Sequence, residues 1–285
     1  METAKPQRNS FSESAGGQQQ AGHYENDNIL VVPAPFSEPS PWTARNLLVL
    51  LGCGLLALVA ANFLTLAGFM LLQPLARWKN HPEALRDNPF FLLSLQMVFH
   101  ALVVGVIYLF LAVNHGLPFW AALRWQRPTA RLARLCILGG VALALLVELA
   151  PALLPDRNDF PLQRLFSSPQ AAYAIAFFAI LIAPFMEELI FRGVLFRFFE
   201  NLVGWRFAIV GTGLLFAGLH VSEYWGAWNH VLLICIVGLA FSLARGLTGS
   251  LAPSVILHTA YNAALMAGLY LQTDQFRAIP HSFTP

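Results

Sequence analysis

The sequence has few charged residues and few cysteines, and both scarcities narrow the class of protein. Charged residues make up 11% of the 285 positions, against roughly 25% in a soluble domain, which argues against a water-soluble fold. Its 3 cysteines all lie in apolar runs, so we expect reduced thiols rather than a disulfide framework. The net charge of +2, with scattered Lys and Arg, excludes the clustered basic face of a nucleic-acid-binding protein.

Hydrophobic residues make up 57% of the chain and are gathered into long runs. Several runs approach the roughly 20 residues that cross a hydrocarbon core. The runs cover residues 47–73, 90–113, 135–154, 171–191, 207–221, 229–245 and 251–271. The sequence therefore predicts an all-α, polytopic integral membrane bundle of about seven helices, with six or eight as alternatives, surrounded by membrane lipid.

The chain divides into four parts. Residues 1–45 are polar and show no helical or strand period, so we predict a disordered tail. Residues 46–165 hold the first transmembrane helices, 166–272 the core helices, and 273–285 a C-terminal tail. More of the 17 Lys and Arg residues fall on the side of the N-terminal tail, which predicts a cytoplasmic N-terminus. The absence of an organelle address favours a bacterial inner membrane.

Two adjacent acidic residues interrupt the fourth apolar run. Glu187 and Glu188 follow an uncharged stretch, and Arg192 comes one turn later. Glu188 and Arg192 are spaced i,i+4 and can form a structural ion pair on one helix face. Glu187 points about 100° away around the helix. Since a carboxylate without a partner at membrane depth usually faces a cavity or a functional group, Glu187 is a candidate functional residue.

The fifth and seventh runs each carry a histidine in an i,i+4 pair. Phe216 and His220 end the fifth run, where the phenyl ring can shield the imidazole, and His258 and Asn262 lie in the seventh. Taken singly, such polar residues often serve as interhelical hydrogen-bonding groups. Together with the acidic pair they supply a general base, an orienting group and an oxyanion donor. We expect the sixth run to contribute packing alone.

These motifs, in this order, resemble a known family. Glu-Glu-x-x-x-Arg, then Phe-x-x-x-His, then His-x-x-x-Asn on successive helices of residues 171–271 are similar to the CPBP family of intramembrane endopeptidases, also called Abi. That family includes CAAX prenyl endopeptidases and bacteriocin-processing or immunity proteins. The resemblance implies hydrolysis of a peptide bond in a membrane-associated or lipidated peptide or protein. It makes Glu187 the general base that activates a water together with His220, and Glu188 an orienting carboxylate near Arg192.

The same resemblance implies that His258 and Asn262 stabilise the oxyanion, in a glutamate-type peptidase without a metal cofactor. A zinc alternative stays open, because Glu187, His220 and His258 are the ligand types of a catalytic Zn²⁺ site. The chain lacks the His-Glu-x-x-His helix on which zinc proteases place two ligands.

Two other classes of function also stay open. In a proton-coupled transporter, Glu187, Glu188 and His220 would form a relay, although such carriers often show internal repeats and we find none. A non-catalytic immunity or scaffold membrane protein would have little use for paired carboxylates at membrane depth. Proteolysis therefore explains more of the embedded polar residues than either alternative.

Overall fold

The computed structural model describes residues 41–76, 85, 88–153 and 168–277. Within these ranges the chain forms helices and no strand, which confirms the all-α prediction. The helices are α1 (Ala44–Ala76), α2 (Pro89–Leu109, continued by a π-helical turn Phe110–Asn114), α3 (Phe119–Ala122), α4 (Ala130–Leu153), α5 (Pro169–Val203), α6 (Trp205–His220), α7 (Trp228–Thr248) and α8 (Leu251–Gln272). Nearly all of the predicted disordered tail lies outside the described residues.

Six of the described helices are long and apolar enough to cross a membrane, which confirms a polytopic helical membrane protein. They are α1, α2, α4, α5, α7 and α8. Helix α6, predicted as a fifth span over 207–221, has 16 residues and covers about 24 Å at 1.5 Å per residue. That is short of the roughly 30 Å hydrocarbon core. The three cysteines carry free thiols, as expected from their positions in apolar runs.

Helix α5, which carries the acidic pair, is not a regular α-helix. Its α-helical segments Pro169–Phe177, Ala183–Glu188 and Phe196–Val203 are separated by π-helical turns. These turns cover Phe178–Ile182 and Leu189–Leu195. Such turns are rare and occur frequently at functional sites. The segment that ends in the two glutamates is therefore bounded on both sides by irregular backbone.

Glycines allow the helices around α5 to approach closely. A Cβ atom on Gly238 of α7 would lie 2.9 Å from Cδ1 of Phe216 in α6. A Cβ atom on Gly140 of α4 would collide with the carbonyl oxygen of Leu257 in α8 and would lie 2.8 Å from Cβ of Ala260. Small residues at such crossings let transmembrane helices pack by direct backbone approach. Helix α8 thereby packs against α4, α5 and α7, and α6 against α5 and α7.

Candidate active site

A cavity of about 570 Å³ lies within the bundle and is lined by residues of α2, α5, α6, α7 and α8. Its lining includes Glu187 from α5, His220 from α6, and His258 and Asn262 from α8. The structure therefore brings four of the five predicted catalytic residues to one cavity. The fifth, Glu188, is fully buried beside it. The catalytic roles of these residues stay predictions.

Glu188 and Arg192 form the ion pair that their i,i+4 spacing predicts. Arg192 Nη1 donates to Glu188 Oε1 over 2.8 Å, and both side chains are fully buried. Helix α7 holds the guanidinium as well: Nη2 donates to the Gly238 carbonyl over 2.6 Å and Nε donates to Ser242 Oγ over 3.2 Å. A buried charge pair is tolerated when its remaining groups are also hydrogen-bonded. Helix α7, expected from sequence to contribute packing alone, thus anchors the ion pair.

His258 connects the buried ion pair to the cavity. Its Nδ1 lies 2.9 Å from Glu188 Oε1, and its Nε2 lies 3.8 Å from Glu187 Oε2. Because an ionised carboxylate can only accept hydrogen bonds, Nδ1 donates its hydrogen to Glu188. The imidazole also stacks on the Phe241 ring, with centroids 4.2 Å apart. These contacts fix the ring so that Nε2 is presented to Glu187.

His220 is oriented by its own helix. Its Nδ1 lies 2.8 Å from the Phe216 carbonyl oxygen, one turn earlier. Because a carbonyl oxygen can only accept a hydrogen bond, Nδ1 carries the hydrogen and donates it, which leaves Nε2 for a partner in the cavity. The Phe216 ring packs against both imidazoles, 4.7 Å from the His220 centroid and 5.9 Å from that of His258. The shielding expected for His220 therefore extends to His258. His220 and Glu187 line the same cavity.

Asn262 uses part of its amide to hold the backbone of α5. Its Nδ2 donates to the Ala179 carbonyl over 2.7 Å. In this π-helical turn the Ala183 amide bonds the Phe178 carbonyl, so the next amide in the same register would belong to Pro184, which has none. Asn262 therefore satisfies a carbonyl that the proline leaves without its backbone partner. The other amide hydrogen of Asn262 makes no hydrogen bond to the described residues.

Tyr224 and Glu223 line the cavity from the segment between α6 and α7. Burial raises the pKa of the Tyr224 phenol, and the Glu223 carboxylate raises it further. The phenol therefore stays protonated at neutral pH and can donate a hydrogen bond beside the cavity. The sequence gives no signal for this role, since aromatic residues near the ends of transmembrane helices are common without it.

The zinc alternative requires three ligands at one point. Within the described part of the chain, no group of three or more His, Cys, Asp or Glu side chains is arranged to hold a metal ion. Glu187, His220 and His258 line one cavity, and the Nδ1 hydrogen bond of each histidine leaves its Nε2 as the atom that could coordinate a metal, an arrangement that histidine ligands commonly have. The absence of a metal cofactor therefore stays a prediction, and the reaction proposed below uses the chain's own residues alone.

Fold and site together define a class of protein: a helical membrane protein with carboxylate and imidazole groups at a cavity within its bundle. Residues 169–264 match the family model described as "Type II CAAX prenyl endopeptidase Rce1-like". The match covers all three motifs and confirms the resemblance to the CPBP and CAAX protease family. Over these residues, about a third of the 285, this integral membrane chain is similar to CAAX-type proteases. No curated protein and no solved structure matches it.

Proposed function

We propose that this chain is an intramembrane endopeptidase in which Glu187 activates a water to hydrolyse a membrane-associated or lipidated peptide. The observation that carries this proposal is the Glu187 carboxylate at the cavity, 3.8 Å from His258 Nε2, with His258 Nδ1 held by Glu188. The family match supports peptide hydrolysis in general. The cavity volume of about 570 Å³ falls within the range of ligand-binding sites.

The charges of the cluster suit a general base and an oxyanion donor at the same time. Glu187, Glu188, Arg192 and His258 have no net charge when both carboxylates are ionised and the imidazole is protonated. A neutral cluster is less costly at membrane depth than a charged one. In this state Glu187 can accept a proton while the Nε2–H of His258 is offered to the same space. This supports the roles that the family resemblance implies.

The proposed reaction begins with a water hydrogen-bonded to Glu187 and His220 Nε2. As the water oxygen attacks the substrate carbonyl carbon, one of its protons passes to Glu187. The resulting oxyanion accepts hydrogen bonds from His258 Nε2–H and the remaining N–H of Asn262. Glu187 then returns the proton to the leaving nitrogen as the C–N bond breaks. Glu188 stays ionised throughout and orients His258.

The test compares the wild-type protein with Glu187→Gln in liposomes. The probes are membrane-anchored peptides with and without a farnesylated cysteine, and cleavage is followed by mass spectrometry. Because general base catalysis contributes about 10²- to 10⁴-fold, we expect a loss of that size. Glu148→Gln is the matched control, since Glu148 lies in the transmembrane helix α4 and does not line the cavity. Equal cleavage by wild type and Glu187→Gln would show that the proposed base is wrong.

We further propose that the peptidase needs no metal and that its N-terminal tail is cytoplasmic in a bacterial inner membrane. The lack of a His-Glu-x-x-His helix supports the first part, and the distribution of Lys and Arg supports the second. Activity should survive chelation in a preparation that metal analysis finds free of zinc. A reporter fused before residue 1 should be active in the cytoplasm. Loss of activity on chelation, restored by Zn²⁺, would favour the zinc alternative.

A further inference from the structure

Helix α2 places a glutamine at the cavity, although α2 lies outside the residues that the family model matches. Gln96 belongs to the membrane-spanning segment Pro89–Asn114 and lines the cavity. The other lining residues of α2 are the apolar Pro89, Leu92 and Leu93. A primary amide at membrane depth is costly unless its groups are hydrogen-bonded. Gln96 therefore requires polar partners.

Within the described chain, Gln96 has one side-chain partner, His100, one turn later in α2. Its Nε2 lies 3.1 Å from His100 Nε2. The amide has two N–H donors and a carbonyl oxygen with two lone pairs, so one hydrogen bond leaves most of its capacity unused in either orientation of the amide. The unused groups belong to a side chain that borders the cavity. A bound peptide would have backbone groups of matching type in that space.

His100 is held so that it can orient this amide. Its ring is buried and stacks on Phe178, with centroids 5.7 Å apart and an interplanar angle of 5°. Phe178 begins the π-helical turn of α5 in which Asn262 binds the Ala179 carbonyl. Gln96 is therefore connected, through His100 and Phe178, to the turn of α5 whose Ala179 carbonyl accepts a hydrogen bond from Asn262.

We propose that Gln96 is a substrate-binding residue whose amide hydrogen-bonds one backbone amide of an extended peptide in the cavity, and that His100 is its positioning residue. This inference rests on the proposed function, since the peptide is the substrate of that reaction. Backbone recognition by Gln96 is insensitive to peptide sequence, whereas Leu92 and Leu93 contact apolar parts of the substrate. Helix α2 thus supplies binding, while α5, α6 and α8 supply the reacting groups.

The test measures binding in a Glu187→Gln background, so that the readout does not depend on turnover. The probes are short fluorescent peptides with a farnesylated cysteine, each with one backbone amide replaced by an ester. An ester lacks the N–H and has a weaker carbonyl acceptor. Adding Gln96→Leu should raise the Kd of the all-amide peptide about 5- to 10-fold, the effect of one hydrogen bond. For one of the ester peptides, the Kd for protein with Gln96 should rise by a similar factor relative to the all-amide peptide. The Kd of that ester peptide for Gln96→Leu should equal that of the all-amide peptide.

Two further variants separate binding from a structural effect. Met97→Leu is the matched control, because Met97 is an exposed residue of α2 that does not line the cavity; its Kd should be unchanged. His100→Phe keeps an aromatic ring against Phe178 and removes the hydrogen bond. It should weaken binding when Gln96 is present and should have no further effect with Gln96→Leu.

The outcomes distinguish this inference from the proposed function. Equal Kd values for Gln96 and Gln96→Leu would overturn the inference, and so would ester effects that are the same in both proteins. Undiminished cleavage by Glu187→Gln would instead overturn the proposed base, and the Kd values of the Gln96 and Gln96→Leu proteins would then be compared with a peptide whose scissile bond cannot be hydrolysed. If no peptide binds measurably to protein that contains Gln96, the inference is wrong.

Discussion

Removal of the Arg192 guanidinium tests how the site is held together. Arg192→Met keeps a long apolar side chain but removes the hydrogen bonds to Glu188, Gly238 and Ser242. Glu188 is fully buried and would keep His258 as its partner. The substitution therefore leaves Glu187 and Glu188 with His258 as their one cationic partner, so the cluster gains a net negative charge at membrane depth.

The size of the effect follows from the burial of both partners. Breaking a buried ion pair by removing one partner costs about 3–5 kcal/mol, whereas replacing both by apolar residues is often neutral or stabilising. We therefore expect Arg192→Met to lower the free energy of unfolding by about 3–5 kcal/mol. Adding Glu188→Met should restore most of that loss. The double variant should nevertheless be inactive, because His258 then lacks its orienting carboxylate.

Denaturant titration in detergent micelles measures the free energy of unfolding, and cleavage of the membrane-anchored peptides measures activity. Arg206→Met is the matched control, because Arg206 is exposed and packs over the Trp205 ring; it should cost about 1 kcal/mol at most. Two results would refute the reasoning. One is a loss below about 1 kcal/mol for Arg192→Met, and the other is a double variant no more stable than the single one.

Two neighbouring contacts give further predictions. Ser242→Ala removes the hydrogen bonds of Ser242 Oγ with the Arg192 guanidinium and with Thr212. In unfolding titrations it should lower the free energy of unfolding by about 1 kcal/mol per lost bond, and it should slow cleavage. An unchanged stability would contradict the anchoring role of α7. Gly140→Ala places a methyl group against the Leu257 carbonyl and should lower the melting temperature by separating α4 from α8. Gly105→Ala is the control and should leave the melting temperature unchanged, because the space around Gly105 is open. Equal melting temperatures for wild type and Gly140→Ala would contradict the close approach of α4 and α8.

The helices were largely predictable from the hydrophobic runs. A chain in lipid must satisfy its backbone hydrogen bonds internally, so a long apolar run becomes a helix, and run length sets the number of crossings. The Glu188–Arg192 pair was predictable too, because helix geometry alone brings i,i+4 side chains together. Helix α6 was predicted as a span over residues 207–221 and is a 16-residue helix; the predicted run of 15 residues was itself shorter than the roughly 20 that cross a hydrocarbon core.

Contacts between helices were not predictable from one sequence. Ser242 lies in an apolar run, where a serine usually donates to a carbonyl of its own helix, and it does donate to the Gly238 carbonyl over 2.9 Å. Its contact with Arg192 arises only because α7 packs beside α5, which one sequence does not show. The same holds for Phe241 stacking on His258 and for Gln96 at the cavity. A sequence motif identifies residues along the chain, whereas these three positions are defined by helix packing.

The Asn262 hydrogen bond has a cause that is visible in the sequence. A proline within a helix leaves a carbonyl without its amide partner, and Pro184 lies one turn before the acidic pair. Sequence alone does not show which side chain satisfies that carbonyl. In the structure Asn262 from α8 does so, at Ala179, so the residue predicted as an oxyanion donor also fixes the π-helical turn of α5.

This double role predicts a coupling between Pro184 and Asn262. Asn262→Leu alone leaves the Ala179 carbonyl without a partner and should cost about 1–3 kcal/mol of stability. Pro184→Ala supplies an amide in the register of that carbonyl, so Asn262→Leu should cost about 1 kcal/mol less in the Pro184→Ala background. Unfolding titrations of the four proteins measure this difference. Activity should stay low whenever Asn262 is replaced, because the restored amide bonds the backbone and does not reach the oxyanion. Equal costs in both backgrounds would show that Pro184 is not the reason for the Asn262 hydrogen bond.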